Sequence, residues 1–219
     1  AALFPQTSSE VDHFGDYERN GDAMHDRLFL LTFDSAANAV PDNTDWVAGY
    51  LLKANLSGTF FVLGKDLQAR LGERPGTSLQ ANWSNQCVGV QGWEFRSHSH
   101  WQDWQDSVRR SVEPARNKLP ENFVPLFRPP DGQRRADAGA FFKAQGLQVA
   151  LWDIDAQDGA GKLKGSQSAQ RVLTLMLLWR HGVINFNVKQ DGVKTALPWL
   201  ITQTAQSGIG WEDCQEGFR

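Results

Sequence analysis

LFLLTFDS, residues 28–35, is the stretch on which the fold turns. Only Thr32 interrupts the apolar run from Leu28 to Phe33, and Asp34 closes it. A short apolar run of this kind, ending in a charge, reads as a strand buried on both faces, as in parallel sheets. GTFFVLG, residues 58–64, is a second such run. Between them, Trp46, Val47, Tyr50, Leu51 and Leu52 have helical spacing over residues 43–55, with Asp42, Asn43 or Thr44 available as a cap. Strand, helix and strand make one βαβ unit.

The alternation continues outward. GWEF before His98 reads as a strand, followed by a helix over 103–118, the strand VPLF (124–127) and a helix over 134–145. LQVALWDI (147–154), a helix over 168–180, GVINFNV (182–188) and a helix over 195–206 complete the series. This order predicts an α/β fold around a largely parallel sheet, open or closed into a barrel. Residues 68–91, rich in Gly, Ser, Asn and Gln, read as a long surface loop or insertion carrying Cys87.

With 219 residues and no internal repeat, the chain reads as one globular domain. A net charge of −3, scattered along the chain, offers no basic stripe, so nucleic acid is not an expected partner. The longest apolar run falls far short of the roughly 20 residues that span a bilayer, so no membrane span is expected. The Ala-Ala start fits a precursor cleaved after a small residue, and equally an expression product that begins there. If the protein is exported, Cys87 and Cys214 are candidates for one long-range disulfide; two separate buried thiols are the other reading. Asn55-Leu-Ser57 and Asn82-Trp-Ser84 match the glycosylation pattern, which short sequences often match by chance.

In parallel α/β folds the loops after the strands open on one face, so functional groups gather at the strands' carboxyl ends. Those ends carry Asp34 and Ser35, then His98 to His100, then Arg128 to Gly132, then Asp153, Asp155 and Asp158, and lastly Asn187. Each has a plainer reading: a cap, a loop histidine, a structural ion-pair partner, a solvated strand end. Polar groups at five of the six strand ends exceed what scatter supplies, and together they predict a site on one rim.

TFDSA, GTFFVLG, GWEFRSHSHWQ, FRPPDG, ALWDIDAQD and GVINFN follow the order and spacing of the polysaccharide deacetylase family, carbohydrate esterase family 4, which the chain resembles from about Leu28 to Gly208. The resemblance implies a distorted (β/α) barrel over residues 28–219 behind an N-terminal extension, 1–27. It also implies removal of N- or O-acetyl groups from glycans such as chitin, peptidoglycan or xylan, with one zinc-type divalent metal. The expected partner is a polysaccharide or oligosaccharide, the expected state a monomer, and the expected location secreted, periplasmic or at the cell surface.

Carried over by motif, Asp34 matches the catalytic base, His98 the first imidazole ligand of the metal, Arg128 the arginine orienting the base, and Asp155 the carboxylate tuning a general acid. Trp101, Pro129, Pro130 and Trp152 are the expected substrate-binding residues at the rim. The departures fall on the chemistry. Ser35 stands at the metal carboxylate, Gln102 at the second imidazole and Asn187 at the acid histidine, while Gly159 replaces a frequent Trp. A catalytic zinc is held by three ligands drawn from imidazole, thiolate and carboxylate, and Ser and Gln supply only neutral oxygens. A rearranged site is conceivable in which an extended chain points His98 and His100 the same way, to chelate with Asp34. Two functions follow from the resemblance: an altered deacetylase, with the family's metal or with none, and a catalytically inactive pseudoenzyme that binds glycan through its tryptophans.

Overall fold

The computed structural model describes residues 14–38, 42–73, 75–159 and 163–218. Its elements in chain order are β1 (Glu18–Arg19), β2 (Leu28–Ala36), α1 (Thr44–Lys53), β3 (Gly58–Val62), α2 (Gly64–Glu73), α3 (Gly76–Asn82), β4 (Cys87–Val90), α4 (Trp104–Lys118) and β5 (Phe123–Phe127). There follow α5 (Gly139–Gln145), β6 (Gln148–Ala150), β7 (Ile154–Asp155), α6 (Gly165–Trp179), β8 (Gly182–Asn187), α7 (Gly192–Thr204) and β9 (Gly210–Trp211).

β2 lies at the centre of one parallel sheet, between β3 and β8, with β4, β5, β6 and β1 beyond β3. Residues 148–155 are shared between the two margins: β6 pairs with β5, and β7, a few residues on, pairs with β8. The sheet therefore curls into a distorted barrel, bridged by this one interrupted strand. The helices pack outside it, as a parallel sheet buried on both faces requires.

Strand alternation sorts the residues. Along β2, Phe29, Leu31 and Phe33 join the core shared with the helices, whereas Leu30 belongs to a second, inner cluster. β8 does the same, with Ile184 and Phe186 outside and Val183 inside. The inner cluster of Leu30, Phe61, Val124, Leu126, Trp152 and Val183 includes Cys87, Cys214 and Phe218, so the C-terminal segment packs into the barrel's interior. Cys87 and Cys214 form a disulfide, 127 residues apart in sequence.

Several expectations are corrected. Residues 68–91 are not a loop, since they hold most of α2, all of α3, and β4. The third barrel strand is Cys87–Val90, not GWEF, and the chain from Gln91 to Asp103 is irregular. Gly92 ends the strand: its φ is +90°, and a Cβ there would lie 2.6 Å from the His98 ring. LQVALWDI is divided, because the Asp153 carboxylate turns to accept the N–H groups of Gly21 (2.8 Å) and Val183 (2.7 Å), which also removes it from the expected rim. α5 starts later than expected, after Arg134 and Arg135 engage Glu18 and Asp137. Part of the expected N-terminal extension is built into the sheet, for β1 pairs with β6; residues 1–13 lie outside the described residues.

α1 forms as read, and Asp42 accepts the Thr44 N–H at 3.0 Å. Arg70 of α2 bridges Asp42 and Asp45, and Asp45 also accepts the Trp83 indole N–H at 2.9 Å. These contacts brace α1, α2 and the end of α3 against each other, holding the β2 carboxyl end in place.

Candidate functional site

The alternation that buries Leu30 inside the barrel also turns Thr32 and Asp34 inward, one and two steps nearer the carboxyl end. On β8, the register pairs Thr32 with Asn185 and Asp34 with Asn187. Arg128, just past β5, reaches into this layer and is fully buried. Its Nη1 donates to Thr32 Oγ1 (2.7 Å), Asp34 Oδ1 (3.1 Å) and Asn185 Oδ1 (3.1 Å). Its Nε and Nη2 donate to the carbonyls of Ala150 (3.0 Å) and Leu151 (3.1 Å). The guanidinium lies over Phe61 at 4.2 Å and near Trp152 at 5.1 Å. Burial pulls its pKa down and the adjacent Asp34 carboxylate pulls it back up. Asp34 is 8% exposed, and its Oδ2 accepts the Asn185 amide N–H at 3.0 Å.

At the top of this layer the chain bulges: β2 and β3 shift register between Phe33 and Ala36, and Ser35 has φ +56°. The Ser35 N–H donates to Gln91 Oε1 (3.2 Å), and Asn187 Nδ2 faces Ser35 Oγ at 3.5 Å. The carboxylate that meets Asn187 is Asp158, which accepts its backbone N–H at 3.1 and 3.0 Å. Burial pushes the Asp158 pKa up to about 7, partly offset by that N–H and reinforced by Asp155 and Asp34. Asp155 instead accepts the Gln157 N–H at 2.8 Å. The carboxylate hydrogen-bonded to the backbone of residue 187 is thus Asp158. Asn185, which contacts both Asp34 and Arg128, was missed by the motif reading, although alternation along β8 from Asn187 would have pointed to it, and Asp158 was named only as a strand-end carboxylate.

His98 is 2% exposed, with its Nε2 3.0 Å from Ser107 Oγ on α4 and its ring between Trp101 and Phe127. Burial lowers its pKa to about 4, so the imidazole is neutral. His100 and Gln102 are exposed. Trp101 is half-buried with Arg96 stacked 4.5 Å from its ring centre. Pro129 and Pro130 are buried, and Trp152, 5% exposed, packs inside the barrel. The structure thus joins Asp34, Ser35, Arg128 and Asn187 in one layer and leaves His100 and Gln102 on the surface.

A zinc-type metal does not fit these donors. No group of three or more His, Cys, Asp or Glu among the described residues is arranged to hold a metal ion. Ser35 brings a neutral hydroxyl, the Asp34 oxygens are engaged by Arg128 and Asn185, and the His98 Nε2 faces Ser107. What the layer does offer is a buried ion pair, amide and hydroxyl groups around it, and one carboxyl that titrates near neutrality.

A parallel barrel with Asp34 and Arg128 paired at its carboxyl end defines the class. The family model described as polysaccharide deacetylase matches residues 21–150. The chain belongs to the polysaccharide deacetylase family. Among solved structures it is similar to a CE4 family pseudoenzyme from Bacillus anthracis, with TM-score 0.75 and 17% identity, covering 89% of this chain and 66% of that one. The catalytic domain of a peptidoglycan N-acetylglucosamine deacetylase from Eubacterium rectale aligns with TM-score 0.71 and 15% identity, over 88% of this chain and 90% of that one. A family 4 acetyl xylan esterase from Clostridium thermocellum, in complex with a cobalt ion, aligns with TM-score 0.66 and 19% identity, over 86% and 89%. At these identities the likeness is one of fold. No curated protein matches the sequence.

Proposed function

We propose that this protein is a deacetylase-fold pseudoenzyme: it binds polysaccharide or oligosaccharide at the carboxyl rim of the barrel and has lost the family's metal-dependent hydrolysis. One observation carries the reading. Where the family pattern calls for a metal carboxylate and an acid histidine, Ser35 and Asn187 face each other across 3.5 Å, above an Asp34 already tied to Arg128 and Asn185. Loss of a general acid alone costs about 10² to 10⁴ in rate, and loss of a metal removes both the activated water and the Lewis acid. Trp101 is the aromatic surface offered to sugar, with Arg96 stacked on its ring and His98 edge-on to it. The Cys87–Cys214 disulfide supports a secreted, periplasmic or cell-surface location, since such bonds persist in oxidising compartments.

The test is acetate release from acetylated xylan and chitin oligomers with zinc or cobalt added, run beside a tryptophan-fluorescence titration with the same oligomers. No release above background and a saturable fluorescence change are expected. Metal-dependent release overturns the pseudoenzyme reading, and a flat titration overturns glycan binding.

A second reading, an altered hydrolase, is favoured by Asp158, whose pKa of about 7 suits a proton donor at neutral pH. It requires release that survives a chelator and disappears in Asp158→Asn.

A further inference from the structure

The motif comparison explains what the site lacks; Asn185 is a contact of Asp34 that the comparison does not cover. A carboxylate acts as a base through an oxygen that can receive a proton from water. Asp34 has two oxygens: Oδ1 is held by Arg128 at 3.1 Å and Oδ2 by the Asn185 Nδ2–H at 3.0 Å, and the side chain is 11% exposed. The Asn185 amide cannot turn over without loss. Its Oδ1 accepts from Arg128 Nη1 at 3.1 Å, and the flipped amide would set N–H against N–H there. Arg128 in turn is fixed by Thr32 and by the carbonyls of Ala150 and Leu151. Donor and acceptor ends of Asn185 thus each have one partner, and the pair of partners is an ion pair.

We propose that Asn185 is a positioning residue that caps Asp34 and keeps it as a structural anion, so that returning the missing family residues does not by itself make Asp34 a base. This rests on the reading of Asp34 as the base position. It predicts an order dependence among substitutions that a simple loss of ligands does not. A related case shows that such a test is practical: a mutant of the Bacillus anthracis pseudoenzyme is described as having restored enzymatic activity.

The experiment compares Ser35→Asp/Gln102→His/Asn187→His with the same protein carrying Asn185→Leu as well. Zinc binding by calorimetry is expected to be equal in the two, and acetate release at least tenfold faster when Asn185 is replaced. Equal rates in two zinc-binding variants overturn the proposal. A measurement on the otherwise unaltered chain needs neither metal nor activity. Asn185→Asp puts a second carboxylate against Asp34, where two like charges resist ionising together. Its melting temperature is expected to fall further below that of the unaltered protein at pH 7 than at pH 4. An equal deficit at both pH values means that Asn185 does not face Asp34 as described, and overturns the proposal whatever the protein's own activity proves to be.

Discussion

At the scale of single residues, the centre of the molecule is a buried ion pair in which each side-chain nitrogen and oxygen has a hydrogen-bond partner. Removing one partner of such a pair costs about 3–5 kcal/mol, because the other is left charged and uncompensated. Arg128→Met is therefore expected to lose stability in that range by urea unfolding, and a loss under about 1 kcal/mol would mean that Asp34 is not held as a charge. Two titrating groups act in opposite directions. His98 has a folded-state pKa of about 4 against an ordinary 6.5, so the unfolded chain takes up its proton first and stability rises with pH between those values. Asp158 has a folded-state pKa of about 7 against 3.8, so the native state holds the proton and stability falls as pH rises from about 4 to 7. Melting temperatures across this window are expected to show the fall alone in His98→Gln and the rise alone in Asp158→Asn; unchanged profiles in both variants contradict the burial described. Asp34 and Arg128 were legible in the sequence because strand ends in a parallel fold share a rim. The contact of Asp158 with Asn187 was not legible, because the turn that folds it there, with Gln157 at φ +52°, leaves no mark in composition.

At the scale of elements, runs with strong periodicity were legible and short ones were not. β2 lies where its continuous apolar run puts it and α1 where its helical spacing does, and α4 falls within the expected 103–118. β4 has four residues, one of them glycine, inside a polar stretch, and its place is set by pairing with β3 and β5 rather than by its own pattern. The adjoining Gly92 is a direct test of the loop that follows. Gly92→Ala adds a Cβ 2.6 Å from the His98 ring at a backbone angle of +90°, and is expected to cost more than about 1 kcal/mol in chemical denaturation. A neutral effect would place His98 elsewhere. The β4 disulfide closes 127 residues of chain, and Cys214→Ser is expected to lower stability by about 2–5 kcal/mol, read from denaturant midpoints with the unaltered protein alongside. No change would mean that the C-terminal segment folds into the barrel without it.

At the scale of the whole molecule, the barrel interior runs from apolar to polar. Leu30, Phe61 and Val183 lie in the inner apolar cluster, and Thr32, Asn185, Arg128 and Asp34 occupy the layer toward the carboxyl end. The sequence carries this gradient in LFLLTFDS and GVINFN, whose inward positions read Leu30, Thr32, Asp34 and Val183, Asn185, Asn187. The α/β class and the rim were legible for that reason. The engagement of both Asp34 oxygens was not, since it depends on how residues of β2 and β8 meet Arg128, just past β5, in space. The central claim is that this layer is completed by amide and guanidinium groups and does not accept a catalytic metal. Anomalous diffraction from crystals soaked in cobalt tests it most directly: no ordered peak is predicted within bonding distance of Asp34, Ser35 or His98, and a well-occupied cobalt bound by any of these residues would contradict it.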